Sequence, residues 1–253
     1  MSFAGRAEAD CTFLLRVDCE HTEAARWAKS VAVERLGLQR LLALLRDLSL
    51  PATFAFVGAT ALEFPELARA AVAHGHAIAG HSMHHDGPYA GRPEPWQQQD
   101  VRAMVQAIRQ ACGVRIRGLA APDSGKVDGG TIRAAALSGL DYVLNATFTA
   151  DGNAFAPVPG LPESVRVPPM SMHVVWDWTA LQPGWPAFSA GDARIQWNDA
   201  LNAASREGGL VSFTTHPWIA ETNDEYGLLA DFLSAARQRG ARFATFDEVV
   251  GAH

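Results

Sequence analysis

No stretch of this chain is apolar for long enough to cross a membrane, which takes about 20 consecutive apolar residues. No Lys/Arg cluster or basic stripe is present either, and the formal charge is −6, which argues against nucleic acid as a partner. The segment Met1–Asp10 is small and polar and lacks the apolar core of a secretory signal, and the apolar run Cys11–Val17 is too short to supply one. These absences lead to the expectation of a soluble, cytoplasmic protein. Cysteine is scarce: Cys11, Cys19 and Cys112 are odd in number and lack zinc-ribbon spacing, so three reduced thiols are expected. Internal repeats, low-complexity runs and an interdomain linker are also missing.

What is present suits a large core. Of 253 residues, 48% are hydrophobic, enough for one α/β barrel or two small domains, and without a linker residues 1–253 read as one domain. Apolar runs alternate with helical patterns, as in βαβ units around a mostly parallel sheet. The expected strands are Thr12–Val17, Thr53–Val57, Ala77–Gly80, Arg115–Ala121, Tyr142–Ala146, Leu210–Thr215 and Arg242–Thr245, the last followed by a short helical tail. The expected helices are Val33–Leu48, Pro65–Ala73 with proline in its first turn, Trp96–Cys112, Gly130–Leu137, Asp192–Glu207 and Glu225–Arg239. Residues 147–190 are rich in Pro, Gly and Trp, with β-like pieces at Val165–Val167 and His173–Trp178, and read as an irregular region over the mouth of the fold.

Three short patches, each following an apolar run, carry the chemistry: Asp18-Cys19-Glu20, His81-Ser82-Met83-His84-His85 and Thr215-His216-Pro217. Strand ends at one mouth are where barrels keep their catalytic groups. At a strand end, Asp18 and Glu20 face the same side and Cys19 the other. Two neighbouring carboxylates in an apolar setting repel unless a cation or proton resolves them. His81 and His85, four apart, share a face on a helical turn and suit a zinc-type ion, with His84 nearly as well spaced. Two imidazoles and one carboxylate leave positions open for water and substrate. His216 suits a general acid. Taken singly, each patch also reads as an ordinary surface or structural feature; the set of three is what points to a metal hydrolase.

The order and setting of these patches resemble the polysaccharide deacetylases, the NodB-homology or carbohydrate esterase family 4 group, over roughly residues 11 to 250. The resemblance implies an α/β fold, a distorted (β/α) barrel of about seven strands. In its Asp-x-Glu form it makes Asp18 the catalytic base and Glu20 a metal ligand. His81-Ser82-Met83-His84-His85 matches His-Ser/Thr-x-x-His, so His81 and His85 carry over as ligands and His84 does not. Thr214-Thr215-His216 loosely matches the Leu-x-His strand end, which makes His216 the acid. Trp176-Asp177-Trp178 resembles the motif whose Asp supports the site and whose Trp walls the pocket. The implied reaction is amide hydrolysis with one divalent metal ion, zinc first, with cobalt, nickel or iron as alternatives. Its oxyanion would meet a backbone N–H near Ala121 or Asp123. The products would be acetate and a free amino sugar.

One motif departs. The usual Arg-x-Pro is replaced by Ala120-Ala121-Pro122: the proline fits and the arginine is absent. That arginine holds the base, and Arg16, Arg117 and Arg166 are the candidates to replace it. Trp176, Trp178, Trp185 and Trp218 suit stacking on sugar rings. The expected substrate is an N-acetylated amino sugar, nucleotide- or lipid-linked, such as an O-antigen precursor. The alternatives are a non-sugar amide or ureide on the same fold, or a catalytically weak metal- and sugar-binding barrel. Apolar stretches between Val158 and Trp185 suit either a homodimer surface or a substrate lid.

Overall fold

Strand β1 (Thr12–Cys19) organises the molecule. The computed structural model describes residues 11–20, 31–177, 190–220 and 223–251. Along one edge, β1 pairs in parallel with β9 (Leu210–Thr215) over six residues. Its other edge is shared: β10 (Arg242–Ala244) takes Thr12–Leu14 and β2 (Thr53–Phe56) takes Arg16–Cys19. Beyond β2 follow β3 (Ala77–Gly80), β4 (Gly118–Ala120), β5 (Tyr142–Leu144), β7 (Arg166–Val167) and β6 (Ala156–Pro157), and β8 (His173–Trp176) flanks β9. Every pairing between these strands is parallel except β6 with β7. The result is the expected α/β distorted barrel. Among the described residues its sheet counts ten strands, because β6, β7 and β8 are contributed by the irregular region.

The period-two alternation of β1 assigns its two faces. Phe13, Leu15, Val17 and Cys19 join the main core with Phe54, Phe56, Ile78, Leu119 and Phe213, beneath the helices. Leu14 joins an inner cluster with Ala55, Ala79, Ala120, Leu144 and Ala244. Four of those six positions are alanine, and Tyr142, Phe155, Phe246 and Val250 complete the cluster. Arg16, Asp18 and Glu20 continue the inner row toward the C-terminal ends of the strands, and all three line the cavity there.

Among the described residues the helices are α1 (Val31–Leu48), α2 (Gly58–Glu63), α3 (Pro65–Ala73), α4 (Glu94–Cys112), α5 (Gly129–Leu137), α6 (Ala190–Glu207), α7 (Asn223–Gln238) and α8 (Phe246–Gly251). Their apolar faces cover the outer side of the sheet. Leu38, Leu41, Leu42 and Leu45 of α1 and Met104 and Ile108 of α4 are buried there. Trp197 of α6, Phe213 of β9 and Phe232 of α7 form an aromatic knot, with ring centroids 4.8 to 5.3 Å apart. None of the helices of the described residues is long and apolar enough to cross a membrane. No disulfide joins Cys11, Cys19 and Cys112.

One helix was not expected, and one expected strand is shortened. Helix α2 does not announce itself in the sequence, because no side chain caps it. Its first amides are satisfied instead by carbonyls of the histidine loop, Gly58 N–H to Ser82 O at 2.9 Å and Ala59 N–H to Met83 O at 2.9 Å. Strand β4 is also shorter than expected. Residues 115–117 stay outside it, and the Arg115 and Arg117 side chains reach Gly139 O and Asp141 respectively.

Candidate active site

The side chains of Asp18, Glu20, His81, His85 and His216 converge at one end of a cavity of about 550 Å³. Glu20 is the hub. Its Oε1 lies 2.8 Å from His81 Nε2, 3.4 Å from His85 Nε2 and 3.6 Å from His216 Nε2. Two overlapping groups have ligand atoms all within 4.8 Å of one another: Glu20, His81 and His85, and Asp18, Glu20 and His216. Two imidazole nitrogens and a carboxylate oxygen are a donor set that suits zinc and other divalent first-row ions. His81 Nδ1 lies 2.8 Å from the Ala120 carbonyl. A carbonyl can only accept, so Nδ1 carries a hydrogen and Nε2 is the nitrogen turned toward the hub, the outer-shell arrangement common to ligating histidines. Beside the hub, Asp18 Oδ1 is buried and has no partner among the described residues. The residues present therefore fit a divalent ion.

The histidine loop is not a helical turn. Ser82 and His85 both have left-handed backbones, with φ of 64° and 58°. The loop is held in that shape by its surroundings. The His85 amide donates to Ser82 Oγ at 2.9 Å, and the Met83 amide donates to the buried Asp100 carboxylate at 3.2 and 3.3 Å. Tyr89 Oη also donates to Asp100. His81 and His85 end with ring centroids 5.0 Å apart.

Asp177 is fully buried and serves the His216 side of the site. Its Oδ2 accepts from Thr215 Oγ1 at 2.8 Å and from the His216 amide at 2.7 Å, and its Oδ1 lies 2.9 Å from His216 Nδ1. Burial opposes a charge on His216, but the Asp177 and Glu20 carboxylates outweigh it and hold the imidazole well above its ordinary pKa. Burial likewise opposes the Glu20 charge, and the charge on His216 with hydrogen bonds from three histidines holds the carboxyl well below the usual range. His85 is burdened by burial and raised overall by its hydrogen bond to Glu20 and by the charges of Glu20, Asp123 and Asp18.

The motif-three departure has a geometric answer. Arg16 Nη2 donates to Asp18 Oδ2 at 2.6 Å. Arg117 and Arg166 are engaged elsewhere. Arg117 binds Asp141 at 2.6 Å and the Asp247 carbonyl at 3.0 Å, and Arg166 pairs opposite Tyr142 at the start of β5, away from the strand ends that carry the site. Period-two alternation along β1 puts Arg16 on the face of Asp18.

Of the expected pocket residues, Trp176 and Trp218 line the cavity, and Trp218 stacks on His216 with ring centroids 5.2 Å apart. Pro122 is buried but is not part of the lining; its carbonyl accepts from the Gly125 amide at 3.1 Å in the turn after β4. Trp178 and Trp185 lie outside the described residues. The Ala121 amide is not free for an oxyanion, because it donates to the Leu144 carbonyl at 2.9 Å. Asp123 does line the cavity. Leu144, Pro168, Pro169, Met170, Met172 and Val174 form an apolar wall of the cavity, the last five within the Val158–Trp185 stretch expected as a homodimer surface or substrate lid.

The family model for polysaccharide deacetylase matches residues 35–143. Solved structures agree in fold. A chain from Mycobacterium smegmatis assigned as a polysaccharide deacetylase is 21% identical, with 100% of this chain and 92% of that one covered at a TM-score of 0.80. The probable polysaccharide deacetylase of Pseudomonas aeruginosa PAO1 is 18% identical, with 96% and 90% covered at 0.76. The Puue allantoinase is 17% identical, with 98% and 91% covered at 0.74. Among curated proteins no match is found.

Proposed function

We propose that this protein is a metal-dependent hydrolase that removes the N-acetyl group from an amino sugar, carried on a nucleotide or lipid as the precursor of a cell-surface polysaccharide such as O-antigen. The observation that supports it best is the convergence of Glu20, His81 and His85 on one point, with Asp18 on one side and the Asp177–His216 pair on the other. Glu20, His81 and His85 would hold one divalent ion, zinc first. When bound, such an ion supplies Lewis acidity to an acyl oxygen and lowers the pKa of water.

The chain's own residues account for the proton transfers. Asp18 is fixed through Oδ2 and keeps Oδ1 free to take a proton from the attacking water. His216, held by Asp177, gives its Nε2 proton to the departing amine. Trp176 and Trp218 offer flat apolar faces to a sugar ring. A cytoplasmic location belongs to the same proposal, and cell fractionation tests it.

Two variants test the roles. Asp18→Asn should keep its metal and lose turnover by about 10²- to 10⁴-fold, the usual worth of a general base. Glu20→Gln should lose the metal itself, as read by metal analysis of the purified protein. An Asp18→Asn variant with wild-type turnover would sink the assignment. The apolar wall of Pro168, Pro169, Met170, Met172 and Val174 favours a second reading, hydrolysis of a small non-sugar amide or ureide, since it offers few hydrogen-bonding groups to sugar hydroxyls. Ring-opening of a ureide with no acetate from any sugar would select that reading. Metal and sugar binding without any hydrolysis would select the catalytically weak barrel.

A further inference from the structure

Asp18 has only one of its two oxygens tied down, and the group that ties it comes from its own strand. Arg16 and Asp18 are two apart on β1 and project into the barrel together. The Nη2–Oδ2 distance is 2.6 Å, and the two side chains are only 14% and 3% exposed. An arginine fits there because the inner positions of the neighbouring strands are small: Ala55, Ala79, Ala120 and Ala244. In the strand pairing, Arg16 lies between Thr53 and Thr214. Its Nε and the Thr214 Oγ1 are both buried without a partner among the described residues, so the contact to Asp18 is the only hydrogen bond made by this guanidinium there.

We propose that Arg16 is the positioning residue for the catalytic base, and that by holding Oδ2 it leaves Oδ1 as the oxygen that receives the proton. This rests on the reading of Asp18 as that base. A carboxylate on a short side chain can rotate about its χ angles. A planar donor on one oxygen restricts that rotation and leaves the other oxygen without a partner among the described residues. Arginine suits the task because its fork is rigid and its charge permanent, whereas a lysine would offer a single mobile point charge. Displacement of a catalytic group by about 1 Å costs on the order of 10²-fold in rate.

The test is steady-state kinetics of Arg16→Ala beside Asp18→Asn, with metal content and thermal melting measured on each. The expected result for Arg16→Ala is a kcat lower by about 10²-fold, KM within about threefold of wild type, an unchanged metal content, and recovery of about tenfold in kcat on adding millimolar guanidinium ion. A purely structural role would not respond to added guanidinium, so a folded, slow variant without that recovery overturns the proposal. So does a wild-type kcat. If Arg16→Ala does not fold, Arg16→Lys carries the test: a kcat below about a tenth of wild type supports the proposal, and a kcat near wild type overturns it. Asp18→Asn separates the two claims. If it is inactive while Arg16→Ala is active, only the tether fails. If it is itself active, the assignment of the base fails.

Discussion

A single methyl group at Gly37 should do more damage than its size suggests. Gly37 lies in α1, where alanine would ordinarily stabilise a helix by about 1 kcal/mol. Here a Cβ would stand 1.8 Å from the Pro217 carbonyl oxygen and 2.5 Å from its carbon. An ordinary C···O contact is about 3.3 Å, so something must move by roughly 1.5 Å. The obstacle is backbone, which cannot rotate away. Overpacking of this kind costs about 3 kcal/mol, and the helix gain offsets about 1, leaving a net loss of about 2 kcal/mol. For a chain of this size that is a Tm lower by about 4–8 °C. Pro217 directly follows His216, so the same shift moves the imidazole and should reduce kcat by about 10²-fold. Gly227 is the control: it lies in α7 with nothing within 4 Å of its Cβ position, and Gly227→Ala should gain up to about 1 kcal/mol. Calorimetry and kinetics on both variants decide the matter. A Gly37→Ala protein that melts higher than wild type with full activity would refute the close approach of α1 to the His216 turn.

Asp100→Asn should weaken metal binding by about 10- to 100-fold in chelator competition without unfolding the protein, because one of the two oxygens facing the Met83 amide becomes a donor and the histidine loop loses its hold. An unchanged affinity would contradict that role. His76 should make the fold acid-sensitive. Both ring nitrogens are buried without a partner among the described residues, and burial, with a smaller push from His74, lowers its pKa to about 4. The folded state binds the proton less well than the unfolded chain, so this contribution is complete above about pH 6.5 and is lost as pH falls toward 4. Allowing for the partial exposure of the ring, it amounts to about 1–2 kcal/mol. Urea melts at pH 7 and pH 4.5 should show that difference shrinking in His76→Phe. An equal slope in both proteins would remove His76 as its source.

Much of the site is legible in the sequence because a strand repeats every two residues. That rule puts Arg16, Asp18 and Glu20 on one face of β1, and the buried alternation of the strand follows it. The parallel order also follows from alternating apolar runs and helices. What could not be read depends on distant partners. The left-handed turns at Ser82 and His85 are fixed by Asp100, on a helix that begins at Glu94. Helix α2 is capped by the carbonyls of that same loop, so its own residues carry no start signal. The choice among Arg16, Arg117 and Arg166 needs the third dimension, since all three flank or lie in strands and only one points at Asp18. The apolar wall is built by β5, the Pro168-Pro169 stretch and β8, segments whose meeting no local pattern announces.

The central claim is that the Glu20, His81 and His85 cluster supports metal-dependent release of an N-acetyl group. The most direct measurement is acetate release from a panel of N-acetylated nucleotide sugars and chitin-type oligosaccharides, using protein stripped of metal and reconstituted with zinc or cobalt. The account predicts acetate and free amine in equal amounts from at least one sugar, only after reconstitution. Protein shown to hold one metal ion that releases no acetate from any sugar would contradict it.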